Sequence, residues 1–165
     1  MNIAIDVYYK QNQAKCVGVI FDWNDSEPSE TITGHIPLVE EYVPGHFYKR
    51  ELPCLVEVLN KTNLNNINTI IVDGYVYTNN FFAYGLGGHL WEQMGRKIPV
   101  VGVAKTRFSN NELTCISVLR GASKVPLYVS AIGTGLEEAA ENIKHMHGQF
   151  RLPTILKTLD AETRV

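Results

Sequence analysis

Alternation and β-branching mark three early segments, about residues 2–9, 14–23 and 30–39, separated by the polar links "KQNQ" and "NDSEPS". Period-two patterning predicts strands, and turn-forming links of this kind predict an antiparallel meander. The spacing then changes. Leu52, Leu55, Val56 and Leu59 recur at helical intervals, which predicts a helix over 49–62 with Pro53 tolerated in its first turns. A strand over 69–76 follows, then a helix over 84–95 stopped by Gly95. "IPVVGVAKT" predicts another apolar strand, with further strands over 113–119 and 127–131. A helix over 136–147 has its stripe on Leu136, Ala139, Ala140 and Ile143, and a short helix follows Pro153.

Three meandering strands followed by α-β-α-β fit the α/β class, as one mixed sheet with helices on both faces. That order matches the ribonuclease H-like architecture, in which carboxylates from neighbouring strands converge on metal. A single domain over 1–165 is expected, long enough to bury a core. The chain is 45% hydrophobic and 19% charged, a globular composition, and no run of 18 apolar residues predicts a membrane span. Its N-terminus reads as a strand from the outset, not as a signal sequence. Cys16, Cys54 and Cys115 form no CxxC pair, so they read as small buried hydrophobes in a reducing, cytoplasmic setting. The net charge of −2 argues against a strong nonspecific grip on nucleic acid.

Against this background "TIIVDGYVYT" is unusual, because Asp73 ends a run of four β-branched residues. Asp-Gly often begins a turn. Alternatively, the carboxylate faces a metal at the sheet's carboxyl edge, where open α/β sheets keep their sites. Asp6 is a second acid inside an apolar run, "AIDVY", and Glu51 stands in the intervening helix within "KRELP". Mg²⁺ prefers oxygen ligands, with one or two carboxylates completed by water and phosphate. Lys105, near the end of "VGVAKT", would meet charge developing on an attacked phosphate. The spacings alone leave both readings open.

Six segments in order resemble the endonuclease V family. "AIDVYY" and "IVDG" resemble its two Asp motifs, and "YVPGHFYKRE" resembles its Tyr-(Ile/Val)-Pro-Gly run. "GLGGH" with "IPVVGVAKT" resembles its Gly-rich helix start and Val-Ala-Lys strand, while "PLYVS" and "FRLPT" resemble its closing segments. The resemblance implies an Mg²⁺-dependent nuclease, with Mn²⁺ as a substitute, that cuts DNA or RNA 3′ to inosine, one nucleotide beyond it. It implies metal ligation by Asp6, Glu51 and Asp73, and catalysis by these three with Lys105. It further implies a strand-separating wedge at Tyr42, Val43, Pro44 and Gly45, and close approach of a flipped purine to Gly85, Gly87 and Gly88. A monomer without membrane attachment is expected.

The departures are specific. "TNNFFA" stands in place of His-Pro-Arg, with Asn79 or Asn80 for the His, and Ile132, Gly133 and Thr134 stand in place of Gly-His-Arg. Glu41 replaces the proline before the wedge tyrosine, and no helical leader precedes the first strand. Two alternatives therefore stand beside the enzyme: a binding protein on the same fold with weak or absent catalysis, and a structure-specific nuclease without base preference. His89, His145 and His147 read as packing or helix-end residues, and Phe81, Phe82 and Tyr84 as a base-stacking or covering loop.

Overall fold

A computed structural model of the protein describes residues 1–37 and 47–165. The expected wedge, Tyr42, Val43, Pro44 and Gly45, lies outside the described residues. β1 (Asn2–Lys10), β2 (Gln13–Phe21) and β3 (Glu30–Pro37) form the expected antiparallel meander. β4 (Thr69–Asp73) and β5 (Val100–Ala104) add parallel to β1, and β7 (Leu127–Ile132) and β6 (Ile116–Val118) close the far side antiparallel. The seven-stranded order is β3-β2-β1-β4-β5-β7-β6.

The helices divide between the faces. α1 (Phe47–Asn60) and α2 (Leu86–Gln93) cover one, burying Leu55, Val58, Leu59 and Leu90 against Ile3, Ile5, Ile70 and Val72. α3 (Leu136–His145) and α4 (Thr154–Thr163) cover the other, where Ile143, Ile155 and Leu159 meet Ala4, Val19, Ile71 and Val103. Alternation along β1, β4 and β5 produces this two-sided core, since successive side chains point to opposite faces.

Among the boundaries that differ from the sequence pattern, three have an evident physical consequence. α1 begins at Phe47, so Pro53 is its seventh residue rather than part of its first turn. Its ring is exposed, and its missing N–H costs the helix ladder one hydrogen bond. β6 shrinks to three residues, leaving Leu113 and Leu119 exposed. β4 stops at Asp73 instead of reaching residue 76, because Gly74 takes a φ of +138° and turns the chain across β5.

That crossing requires Gly102 on β5. A Cβ at Gly102 would come within 2.5 Å of the Gly74 carbonyl oxygen and 2.7 Å of Ser130 Oγ. The same Ser130 hydroxyl accepts a hydrogen bond from the Val76 N–H at 2.9 Å, fixing the turn after Asp73. Gly102→Ala should therefore lower stability by about 1–3 kcal/mol, the usual cost of overpacking. Urea unfolding should show a lower midpoint with an unchanged slope.

Candidate active site

The parallel ladder between β1 and β4 runs from Asn2–Thr69 to Ile5–Val72. Asp6 and Asp73 are the next residues in that register, at the point where β4 ends. Ala4, Ile71 and Val103 face the α3/α4 core, so the residues two positions later, Asp6, Asp73 and Lys105, emerge on that same face. All three line one cleft at the carboxyl edge of the parallel strands.

α4 closes the cleft. Leu156 and Asp160, four residues apart, sit on one helix face and both line it. Asp160 was not singled out in the sequence, where the last helix showed only as a short segment after Pro153. The available signal was an acid one helical turn beyond a buried leucine. Glu51 does not line the cleft. It lies on the buried stripe of α1 with Cys54, Leu55 and Val58 and approaches from the opposite layer.

Crowding and burial govern the protonation of these acids. Burial first, then the Asp73 and Asp6 charges, push Glu51 from 4.5 up to about 8. Burial first, then Asp73, push Asp6 from 3.8 up to about 6, although Asp6 Oδ1 accepts the Val7 N–H at 2.8 Å. Asp73 is also raised, chiefly by burial and opposed by Lys105, but its side chain keeps substantial water contact. Glu51, only 9% exposed, is the most buried of the three.

This donor set suits a hard divalent cation. The cleft has room of ≈ 30 Å³, enough for about one or two water-sized atoms. The expected ligands Asp6, Glu51 and Asp73 interact electrostatically, yet among the described residues no three His, Cys, Asp or Glu side chains are gathered as a ready metal cage. Such an open arrangement fits Mg²⁺, which keeps several waters and takes one or two carboxylates plus substrate phosphate.

Lys105 is exposed, and its backbone is anchored: the Arg151 guanidinium donates to the carbonyls of Lys105 and Pro126. Gly85, Gly87 and Gly88 pack closely against their own chain. The Gly85 and Gly87 N–H groups donate to the Val76 and Tyr75 carbonyls. A Cβ at Gly88 would lie 2.4 Å from the Tyr84 ring. These glycines let α2 pack tightly on residues 75–84 of its own chain. Asn79 and Asn80 are likewise engaged internally, accepting from the Phe81, Ala83 and Leu113 N–H groups. His89 stacks on Tyr48 at 3.6 Å, and His147 pairs with the Thr154 hydroxyl at 3.0 Å.

The family model for endonuclease V matches residues 2–161. The chain belongs to the endonuclease V family. Endonuclease V of Pyrococcus horikoshii is 28% identical over 158 residues, covering 95% of this chain and 70% of that protein. The fold superposes on endonuclease V of Ciona intestinalis, solved with a 24mer DNA containing an inosine followed by a ribo-adenosine. The TM-score is 0.81 at 20% identity, covering 98% of this chain and 83% of that one. The catalytic domain of human endonuclease V gives 0.79 at 22% identity, covering 98% and 80%. The ribonuclease H-like sheet anticipated from the element order is thus the fold of the family.

A carboxyl raised on folding holds its proton more tightly in the native state, so its stabilising effect is present at low pH and lost as pH rises. For Glu51 the window lies between 4.5 and about 8. In metal-free buffer the melting temperature should fall by several degrees across that window, and Glu51→Gln should flatten the decline. Differential scanning calorimetry at four or five pH values decides this.

Proposed function

We propose that the protein is a divalent-metal-dependent endonuclease that cuts the phosphodiester backbone 3′ to inosine in DNA or RNA. The observation that carries this reading is the convergence of Asp6, Asp73 and Lys105 on one face of the sheet edge, under Asp160 of α4. Family membership supports the nuclease class, and the inosine-containing DNA of the Ciona relative supports the substrate.

Asp6 and Asp73, with Glu51 and Asp160 from the two helical layers, would hold Mg²⁺ or Mn²⁺. The chemistry such an ion supplies is polarisation of the phosphodiester and of the attacking water. Lys105 directs its ammonium at charge that grows on the phosphate in the transition state, an effect strengthened where water is excluded. The carboxylates would hold the divalent centre; without it, burial and neighbouring charge make Asp6 and Glu51 keep their protons to higher pH. Tyr42, with Val43, Pro44 and Gly45, would separate strands beside the lesion. Flipping a purine costs a few kcal/mol, least for a mispaired base, which favours deaminated sites.

One observation favours a weaker enzyme or a binding protein. Where the family usually has His-Pro-Arg, Asn79 and Asn80 are consumed in loop hydrogen bonds and Phe81 is exposed to solvent. Fewer cations near the phosphate path mean lower substrate affinity and a steep loss as salt rises.

Mn²⁺ or Mg²⁺ should raise the melting temperature at pH 8, and Asp6→Asn should abolish the rise. In single-turnover assays on an inosine oligonucleotide, Asp73→Asn and Lys105→Ala should lower the rate at least a hundredfold while changing affinity far less. Wild-type cleavage by Asp73→Asn would make that carboxylate structural. Wild type that binds but never cuts with either metal would establish the binding protein instead. Separately, Tyr42→Ala should slow cleavage of duplex more than of single strands; equal losses would remove the wedge.

A further inference from the structure

Beside the carboxylate cleft, on the outer side of α4, lies an open depression of ≈ 840 Å³. That is the size of a site for a small organic ligand, roughly 300–1,000 Å³. Leu152 and Asp160 line both this depression and the cleft, so the two adjoin. Its prominent side chain is Phe150, 68% exposed, with the Lys157 Nζ 4.8 Å from the ring centroid. An apolar ring this exposed gains nothing from the core.

The rim that presents the ring is built, not loose. Arg120, 2% exposed, lies beneath it and donates to the carbonyls of Phe150 at 2.6 Å, Met146 at 2.5 Å and Gly148 at 3.1 Å. Gly121 passes so close that a Cβ there would overlap the Gln149 carbonyl. Phe150 is therefore held outward by a buried cation whose donors are spent on the backbone around it.

We propose that Phe150 and Lys157 form a stacking subsite for an unpaired nucleotide flanking the scissile phosphate, the base lying on the Phe150 ring and its phosphate meeting the Lys157 ammonium. The proposal rests on the nuclease reading above. The occupant follows from the chemistry. Lys157 Nζ sits over one face of a ring that is 68% exposed, so a base of any kind can stack on the remaining ring surface with the ammonium beside its phosphate. The shared lining of Leu152 and Asp160 places that nucleotide next to the cleft. Arg151, whose guanidinium donates to the Lys105 and Pro126 carbonyls, joins the depression to the catalytic lysine and adds positive charge.

Binding of a fluorescein-labelled single-stranded inosine oligonucleotide, measured by anisotropy without divalent metal, tests the subsite apart from cleavage. Phe150→Ala and Phe150→Leu should each weaken binding about tenfold, and Phe150→Trp should restore it. Lys157→Ala should reduce the slope of log affinity against log salt by about one. With 2-aminopurine walked along the strand, one position beside the inosine should show quenching that Phe150→Ala removes. Thermal melting controls for folding, which an exposed ring should not disturb. Wild-type affinity in both Phe150→Ala and Lys157→Ala, with no position-specific quenching, would overturn the subsite even if the protein cuts inosine strands normally. Conversely, the full pattern of weakened binding in a protein that never cleaves would sustain the subsite and remove the nuclease reading.

Discussion

The repulsion among carboxylates at one end of the sheet is the constraint on which the rest of the structure depends. Asp6 and Asp73 come side by side because β1 and β4 run parallel in a register that ends just before them. Burial and a nearby acid raise each of them, Asp73 acting on Asp6 and Asp160 on Asp73. Such a cluster persists only because the surrounding architecture leaves it no alternative. Ile3, Ile5, Ile70 and Val72 lock the strands on one face, and Ala4, Ile71 and Val103 on the other, so a slip in register would exchange the side chains fitted to one core for those fitted to the other.

Each helical layer adds an acid to this edge. Glu51 comes from the buried stripe of α1, and Asp160 from the face of α4 that also presents Leu156. Both are placed by apolar neighbours on their own helix, so the hydrophobic stripe does the positioning and the carboxyl takes the cost. Lys105 offsets part of that cost, lowering both Asp6 and Asp73. Two arginines act at the margin through the backbone: Arg151 ties Lys105 to Pro126, and Arg120 gathers the carbonyls between α3 and α4. The cations beside the cleft thus work partly as scaffolding.

That division separates the carboxylate edge from the loops around it. The acids are fixed by strand register and helix stripes, which tolerate little change. The loop of residues 77–84 is instead stabilised by its own asparagines and by Asn111 and Thr114, whose side chains donate to the Tyr77 and Asn79 carbonyls. A self-supporting loop of this kind can replace imidazole and guanidinium groups without disturbing the sheet.

The sequence by itself determined the meander, the parallel additions and the helical layers, because alternation and helical spacing report which side of an element is buried. It also marked Asp6 and Asp73, since an acid within a β-branched run stands out against that pattern. Asp160 was illegible: on a short helix, an acid beside leucines looks like an ordinary amphipathic boundary until the helix is docked over the sheet edge. The close packing of Gly85, Gly87 and Gly88 on the chain's own Tyr75, Val76 and Tyr84 was equally hidden, because the neighbours of a missing side chain show only in the folded structure. Local pattern encodes burial; which buried or exposed groups meet across elements is decided by register, crossing and docking, which no single segment contains.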